Sequence, residues 1–222
     1  MILSMAMEDG LILTNPLNSK RLRVTGSPSE FTKVYTVEQM RFLVQNLDKV
    51  KDPADQTYLA IQALHPLRLE EVLGLKWEDI DFENAVIHIR RAVTHPTRNQ
   101  PEVKLPKTEA SIRDIGLSSI AAKYLTPGKS SDFVFGGKTP LSYQRVKRIC
   151  NRIRVDTDFS ERITPQRFRT TVLTDIYDAT KDVKAAQAAA GHTTSAMTLK
   201  HYVKGRTNCS QTAAALDHVY CS

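Results

Sequence analysis

Apolar residues recur along this chain at two different spacings, and the change from one to the other divides it. Met40, Leu43, Val44 and Leu47 return every three or four positions, the spacing that lines one face of a helix. Thr36 precedes that run with Gln39 three residues on, the reciprocal capping arrangement that starts a helix. Further helices are predicted over about 53–64, with Pro53 in the first turn, and over 69–75, stopped around Gly74. From Val86 the period shortens. Val86, Ile87 and Ile89, then Val103 and Leu105, then Ile112 and Ile115 form runs separated by turn-prone residues, which predicts three short antiparallel strands. Helical spacing returns over 119–125, 142–154, 165–178, 182–190 and 210–219, with 133–135 a lone extended piece. The expected fold class is mainly α with a small antiparallel three-stranded sheet (α+β).

The ends add organisation. Apolar positions in MILSMAMEDGLI predict a short helix ended by Gly10, and the polar, basic, turn-rich stretch 18–30 reads as a linker. The expected division is therefore 1–30 and 31–222. No apolar run is long enough to cross a bilayer, and the start lacks the pattern of a secretory leader. Cys150, Cys209 and Cys221 form no CxxC pair and fit neither a disulfide framework nor a zinc site, so a reducing, cytoplasmic setting is expected. An excess of 31 Lys+Arg over 24 Asp+Glu favours an anionic partner, nucleic acid first. Arg145, Arg148 and Arg152 fall on one helical face while Val146, Ile149 and Ile153 fall on another. That basic face suits either solvent or a DNA backbone.

The chemistry-bearing residues lie far apart in sequence. Arg68 opens the run Arg68-Leu69-Glu70-Glu71-Val72-Leu73-Gly74-Leu75-Lys76-Trp77-Glu78-Asp79-Ile80-Asp81. Lys107 lies in Pro106-Lys107-Thr108 between two predicted strands, with Lys104 a competitor for the same turn. Arg169 follows Pro165-Gln166-Arg167-Phe168, and Gly191-His192 is followed ten residues after the histidine by Tyr202.

In this order the segments resemble the tyrosine recombinases, the phage-integrase family of site-specific DNA recombinases. The resemblance covers roughly 36–204 and implies the catalytic-domain fold of that family. It implies that Arg68 and Arg169 clamp the scissile phosphate, that Lys107 and His192 assist, that Tyr202 is the nucleophile and that Glu71 supports the first arginine. It further implies cleavage and rejoining of DNA through a 3′-phosphotyrosine, with no metal and no cofactor, for integration or excision of a phage or mobile element. The implied partners are double-stranded attachment sites and further copies of the chain, monomeric alone and tetrameric on DNA. Residues 6–16 resemble the last helix of the core-binding domain that precedes such catalytic domains, so the chain is expected to be a catalytic fragment. The 210–219 stripe is expected to pack on a neighbouring protomer or on its own domain.

Physical chemistry agrees with these roles. A phenol oxygen can hold a phosphate covalently, and guanidinium forks match the charge gathering on non-bridging oxygens. A mobile lysine can protonate the leaving 5′-oxygen. Two positions depart from the pattern: Gln166 stands where histidine is usual, and His65-Pro66 replaces Thr-Gly. An amide donates a hydrogen bond but shuttles no proton. Gln166 is thus the best support for the rival expectation, a DNA-binding protein of this fold that does not cut. A type IB topoisomerase is a third alternative.

Overall fold

A computed structural model describes residues 2–18, 32–97, 100–104 and 112–191. The chain parts into two compact units, Met1–Phe31 and Thr32–Ser222. In the first unit, helix α1 (Ile2–Glu8) carries no buried residue, and Gly10, at φ 69°, follows it.

The second unit begins with α2 (Val37–Gln45). Its N-cap is Thr36, whose hydroxyl accepts from the Gln39 amide while the Gln39 side chain accepts from the Thr36 amide, satisfying two donors that a helix start leaves open. α3 (Pro53–Leu64) is the central helix: Tyr58, Leu59, Ala60, Ile61, Gln62 and Ala63 are all buried. α4 (Leu69–Gly74) follows after Arg68. Gly74 marks a close approach, because a Cβ there would meet the Arg91 carbonyl oxygen at 2.8 Å.

The sheet differs in membership from the expectation. β1 (Ile80–Asp81), β2 (Val86–Ile89) and β5 (Arg113–Gly116) form the three-stranded antiparallel sheet in the order β1-β2-β5. Ile87 pairs with both Ile80 and Ile115. The strand containing Val103, β4 (Gln100–Lys104), instead pairs with β3 (Ala92–Thr97) as a separate two-stranded ribbon. β1 was missed because two residues show no alternation. β3 was missed because Pro96 makes its sequence read as a non-strand. The fold class stands: helices supply most of the core, and the small antiparallel sheets fall between α4 and the later helices in sequence.

After β5 come α5 (Ser119–Ala122), α6 (Tyr143–Asp156), α7 (Pro165–Thr180) and α8 (Val183–Ala190). Ser118, Ser142, Thr164 and Asp182 cap them with side-chain acceptors. α5 is shorter than the predicted 119–125, although Leu125 beyond it is buried. Phe133 bridges to Lys76 and Gly137 rather than joining a sheet. One apolar core unites α2, α3, α6 and α7, with Tyr35 edge-on to Phe159 and tilted against Phe168. The predicted helix over 210–219 lies outside the described residues.

Candidate active site

The side chain that organises the site is Glu71, on the first turn of α4. It is 7% exposed and faces three arginines from three different elements. Arg68, the N-cap residue of α4, donates its backbone amide and Nη1 to the two Glu71 oxygens, each at 2.8 Å. Arg113, on β5, donates Nη1 and Nη2 to the same two oxygens at 2.9 Å, the parallel fork that guanidinium and carboxylate geometry favour. Arg169, on α7, brings Nη1 to 3.7 Å from Glu71 Oε2. Its other bonds go to backbone carbonyls: Nη1 to Pro66, and Nη2 to Ala190 at 2.6 Å.

The electrostatics follow from this crowding. Burial alone would raise the Glu71 carboxyl. The hydrogen bonds and charge of Arg113, the Arg68 amide and the charge of Arg169 outweigh that effect and hold it at about 2. A permanent carboxylate among three guanidinium groups leaves a surplus of positive charge in a poorly solvated place, which suits a site for an anion. Exposure differs within the cluster. The Arg68 side chain is 37% exposed, whereas Arg113 and Arg169 are 8% and 4% exposed.

Local sequence decides which arginine of α7 turns inward. Arg169 lies one position past the buried Phe168. Arg167 instead donates to the Lys33 carbonyl and to Glu161, with its guanidinium 3.9 Å from the centre of the Tyr35 ring. Gln166 is exposed on the first turn of the helix; three residues before Arg169, it shares that residue's side of α7. Its side-chain amide has no protein partner among the described residues.

His65-Pro66, the second departure, has a structural role here. His65 is buried, with Nδ1 2.9 Å from the Ile61 carbonyl and Nε2 accepting from the Ser118 amide at 3.0 Å. That pattern needs the neutral ring, and burial lowers its pKa. The adjoining Pro66 carbonyl receives Arg169.

The sequence-derived candidates divide accordingly. Arg68, Glu71 and Arg169 are brought together, with Gln166 one turn of α7 away. Lys107, His192 and Tyr202 lie outside the described residues. Lys107 falls between the end of β4 at Lys104 and the start of β5 at Arg113, and His192 follows Gly191. On α6, Arg145 and Arg148 are exposed beside a cavity of about 320 Å³ that Gly136, Asp52 and Asp55 also line. Arg152 is engaged: Nε and Nη2 each donate to Asp55 at 2.7 Å, and Asp55 is 1% exposed. Arg113 is the member of the cluster that no pattern in the sequence singled out. Its distance in sequence from Arg68 and Arg169 hides their shared carboxylate.

Residues 33–208 match the phage integrase family. The chain belongs to that family. Among curated relatives, it is 26% identical to "Tyrosine recombinase XerC" of Chlamydia trachomatis serovar L2, over 84% of this chain and 58% of that protein. It is 26% identical to "Transposase from transposon Tn916" of Enterococcus faecalis, over 89% of this chain and 54% of that protein. The chain thus spans a little over half the length of these relatives. The fold matches the structure of the Tn1549 transposon integrase in complex with a circular intermediate DNA, with TM-score 0.76, 21% identity, and coverage of 97% of this chain and 75% of that one. Among the described residues, no helix is long and apolar enough to cross a membrane, and no cluster of His, Cys, Asp or Glu could hold a metal ion.

Proposed function

We propose that this chain is the strand-transferring part of a site-specific tyrosine recombinase, acting on double-stranded attachment sites of a phage or mobile element. The observation that carries the proposal is the convergence of Arg68 and Arg169, from α4 and α7, on the buried Glu71 carboxylate. Two guanidinium groups fixed in advance suit a phosphate whose non-bridging oxygens gain charge during displacement, because no reorganisation is needed as that charge develops.

In this mechanism the Tyr202 phenol oxygen attacks the scissile phosphorus as its proton passes to solvent water. A 3′-phosphotyrosine bond forms while the bond to the 5′-oxygen breaks. Lys107 donates a proton to that departing oxygen, with Lys104 the competing donor. Arg68, Arg169 and His192 contact the phosphate, and the Gln166 amide supplies one further hydrogen bond without exchanging a proton. Attack by a 5′-hydroxyl reverses the step and rejoins DNA, so the ester energy is retained and no nucleotide cofactor is needed. Arg145 and Arg148 track the backbone, several copies assemble on the DNA, and the work is done in the cytoplasm. Residues 1–30 fit the end of a preceding core-binding domain plus linker.

The test uses nicked suicide duplexes carrying the attachment site, recovered by selecting bound sequences. Wild type is expected to form a covalent protein–DNA adduct, visible on denaturing gels, and Tyr202→Phe to form none while still binding. An adduct persisting in Tyr202→Phe reassigns the nucleophile. The exposed Gln166 favours a second reading, a binder that does not cut. That reading predicts binding without an adduct in wild type.

A further inference from the structure

Three of the five N–H donors of Arg113 are committed close to Arg68 and Arg169. Two go to Glu71, and Nε donates to the Ala189 carbonyl at 3.2 Å. That carbonyl lies in the last turn of α8, next to the Ala190 carbonyl that holds Arg169. Gly191 closes the helix at φ 61°, and a Cβ there would meet Arg113 Nη1 at 3.0 Å. The guanidinium therefore lies against the backbone that leads into His192. Arg113 is also the first residue of β5, where the chain returns from the segment carrying Lys107. One side chain thus touches Glu71, which orients both clamp arginines, and the end of α8.

We infer that Arg113 is a positioning residue: it holds the Glu71 carboxylate in the form that orients Arg68 and Arg169, and it fixes the C-terminal end of α8 ahead of His192. This rests on the strand-transfer reading above. Arg113 touches neither nucleophile nor leaving group in that scheme, and its effect passes through Glu71 and through the Ala189 carbonyl.

The charged groups that face Glu71 are Arg68 on the start of α4, Arg113 on β5 and Arg169 on α7. Removing Arg113 takes away the forked partner, so burial pushes the carboxyl upward against only the Arg68 bonds and the Arg169 charge. A protonated Glu71 releases its hold on the other two arginines, so a loss that deepens toward acid pH is the signature of this role. A residue that merely stabilises the fold would lower activity equally at every pH at which the protein stays folded.

The experiment follows suicide-substrate adduct formation from pH 5.5 to 8 in wild type, Arg113→Gln, Arg113→Lys and Arg113→Gln/Glu71→Gln, with folding checked by circular dichroism. Arg113→Gln is expected to react about tenfold or more slowly at pH 7.5, a cost in keeping with slight misplacement of a reacting group, and to lose further rate toward pH 5.5. Arg113→Lys restores the acid-side plateau through its charge but not the full rate, because an ammonium cannot span two oxygens and a carbonyl. The double variant is slow without the added acid-side slope. Equal rates and equal profiles in wild type and Arg113→Gln overturn the inference, as does a slope that persists in the double variant. If Arg113→Gln does not fold, a wild-type rate in Arg113→Lys overturns it. The ¹³C shift of the Glu71 carboxyl, followed without DNA over the same pH range, separates the two claims. If wild type forms no adduct, strand transfer fails; a Glu71 titration that appears in Arg113→Gln but not in wild type or Arg113→Lys still supports the positioning role, and a flat shift in Arg113→Gln overturns it.

Discussion

Arg68, Arg113 and Arg169 surround one buried carboxylate, whereas Arg145 and Arg148 stand out from α6 with no carboxylate partner among the described residues. Both groups are cationic and both suit a DNA phosphate, but they are built for different work. The arginines around Glu71 are held by protein groups, and the desolvation of Arg113 and Arg169 is offset by fixed acceptors. The α6 arginines keep their hydration and rotamer freedom, so they attract a polyanion at long range and contribute little to the fold. Arg152 stands between these cases: its side chain is half exposed, yet its fork is committed to the buried Asp55.

The largest effect that would break this comparison is at the clamp. Arg68→Ala and Arg169→Ala are each expected to slow adduct formation by about 10²–10³, the range for losing one transition-state donor. Lysine should rescue poorly at either position, since it cannot reproduce the fork. Thermal melts should separate the two, with Arg169→Ala destabilising the fold and Arg68→Ala scarcely doing so, because the Pro66 and Ala190 carbonyls lose their donor only in the former. Near-normal cleavage by either lysine variant would assign that residue to structure alone.

Next in size is the acid response. The folded Glu71 carboxyl lies at about 2 against an ordinary 4.5, so its contribution to stability is full above about 4.5 and disappears as pH falls through about 2. The shift corresponds to about 3 kcal/mol at most. Denaturant titrations from pH 6 to pH 2.5 should show a steeper loss in wild type than in Glu71→Gln; parallel curves would mean that the arginines do not hold the carboxylate as the geometry implies.

The α6 arginines sharpen the contrast. Arg152→Ala leaves the buried Asp55 without its forked donor and should cost about 1–3 kcal/mol of stability. Neutralising Arg145 and Arg148 together should leave the melting temperature nearly unchanged while lowering the slope of log affinity against log salt by roughly one or two units. A large stability loss in that double variant would erase the distinction between the two faces.

Smallest is Gln166→His, expected to keep or raise cleavage and to add a pH dependence near the ordinary imidazole range, about 6.5. Gln166→Ala should cost one donor and leave the profile's shape alone. A wild-type profile whose titration vanishes in Gln166→Ala would defeat the passive-donor role.

The helical skeleton was legible from local pattern. Thr36 with Gln39, Pro53 after Asp52 and Ser142 ahead of α6 are signals that a helix start writes within a few residues, because capping bonds are short-range. The motif Arg68…Glu71 was legible for the same reason, since both lie on one turn. Sheet membership was not. Ile80–Asp81 is too short to alternate, and the partner of Val103 is fixed by which strand closes on it, a matter of register and packing across the fold.

What the sequence by itself determined was therefore the succession of helices and the family, since residue type and spacing along the chain encode these. Only the tertiary structure decided that Arg113 shares the Glu71 carboxylate with Arg68 and Arg169, that Arg152 turns to Asp55 while Arg145 and Arg148 do not, and that the Pro66 carbonyl receives Arg169. Those choices belong to groups brought together from α3, α4, β5, α6, α7 and α8. A buried charge takes whichever partner the packed core places within reach, and spacing along the chain does not say which one that is.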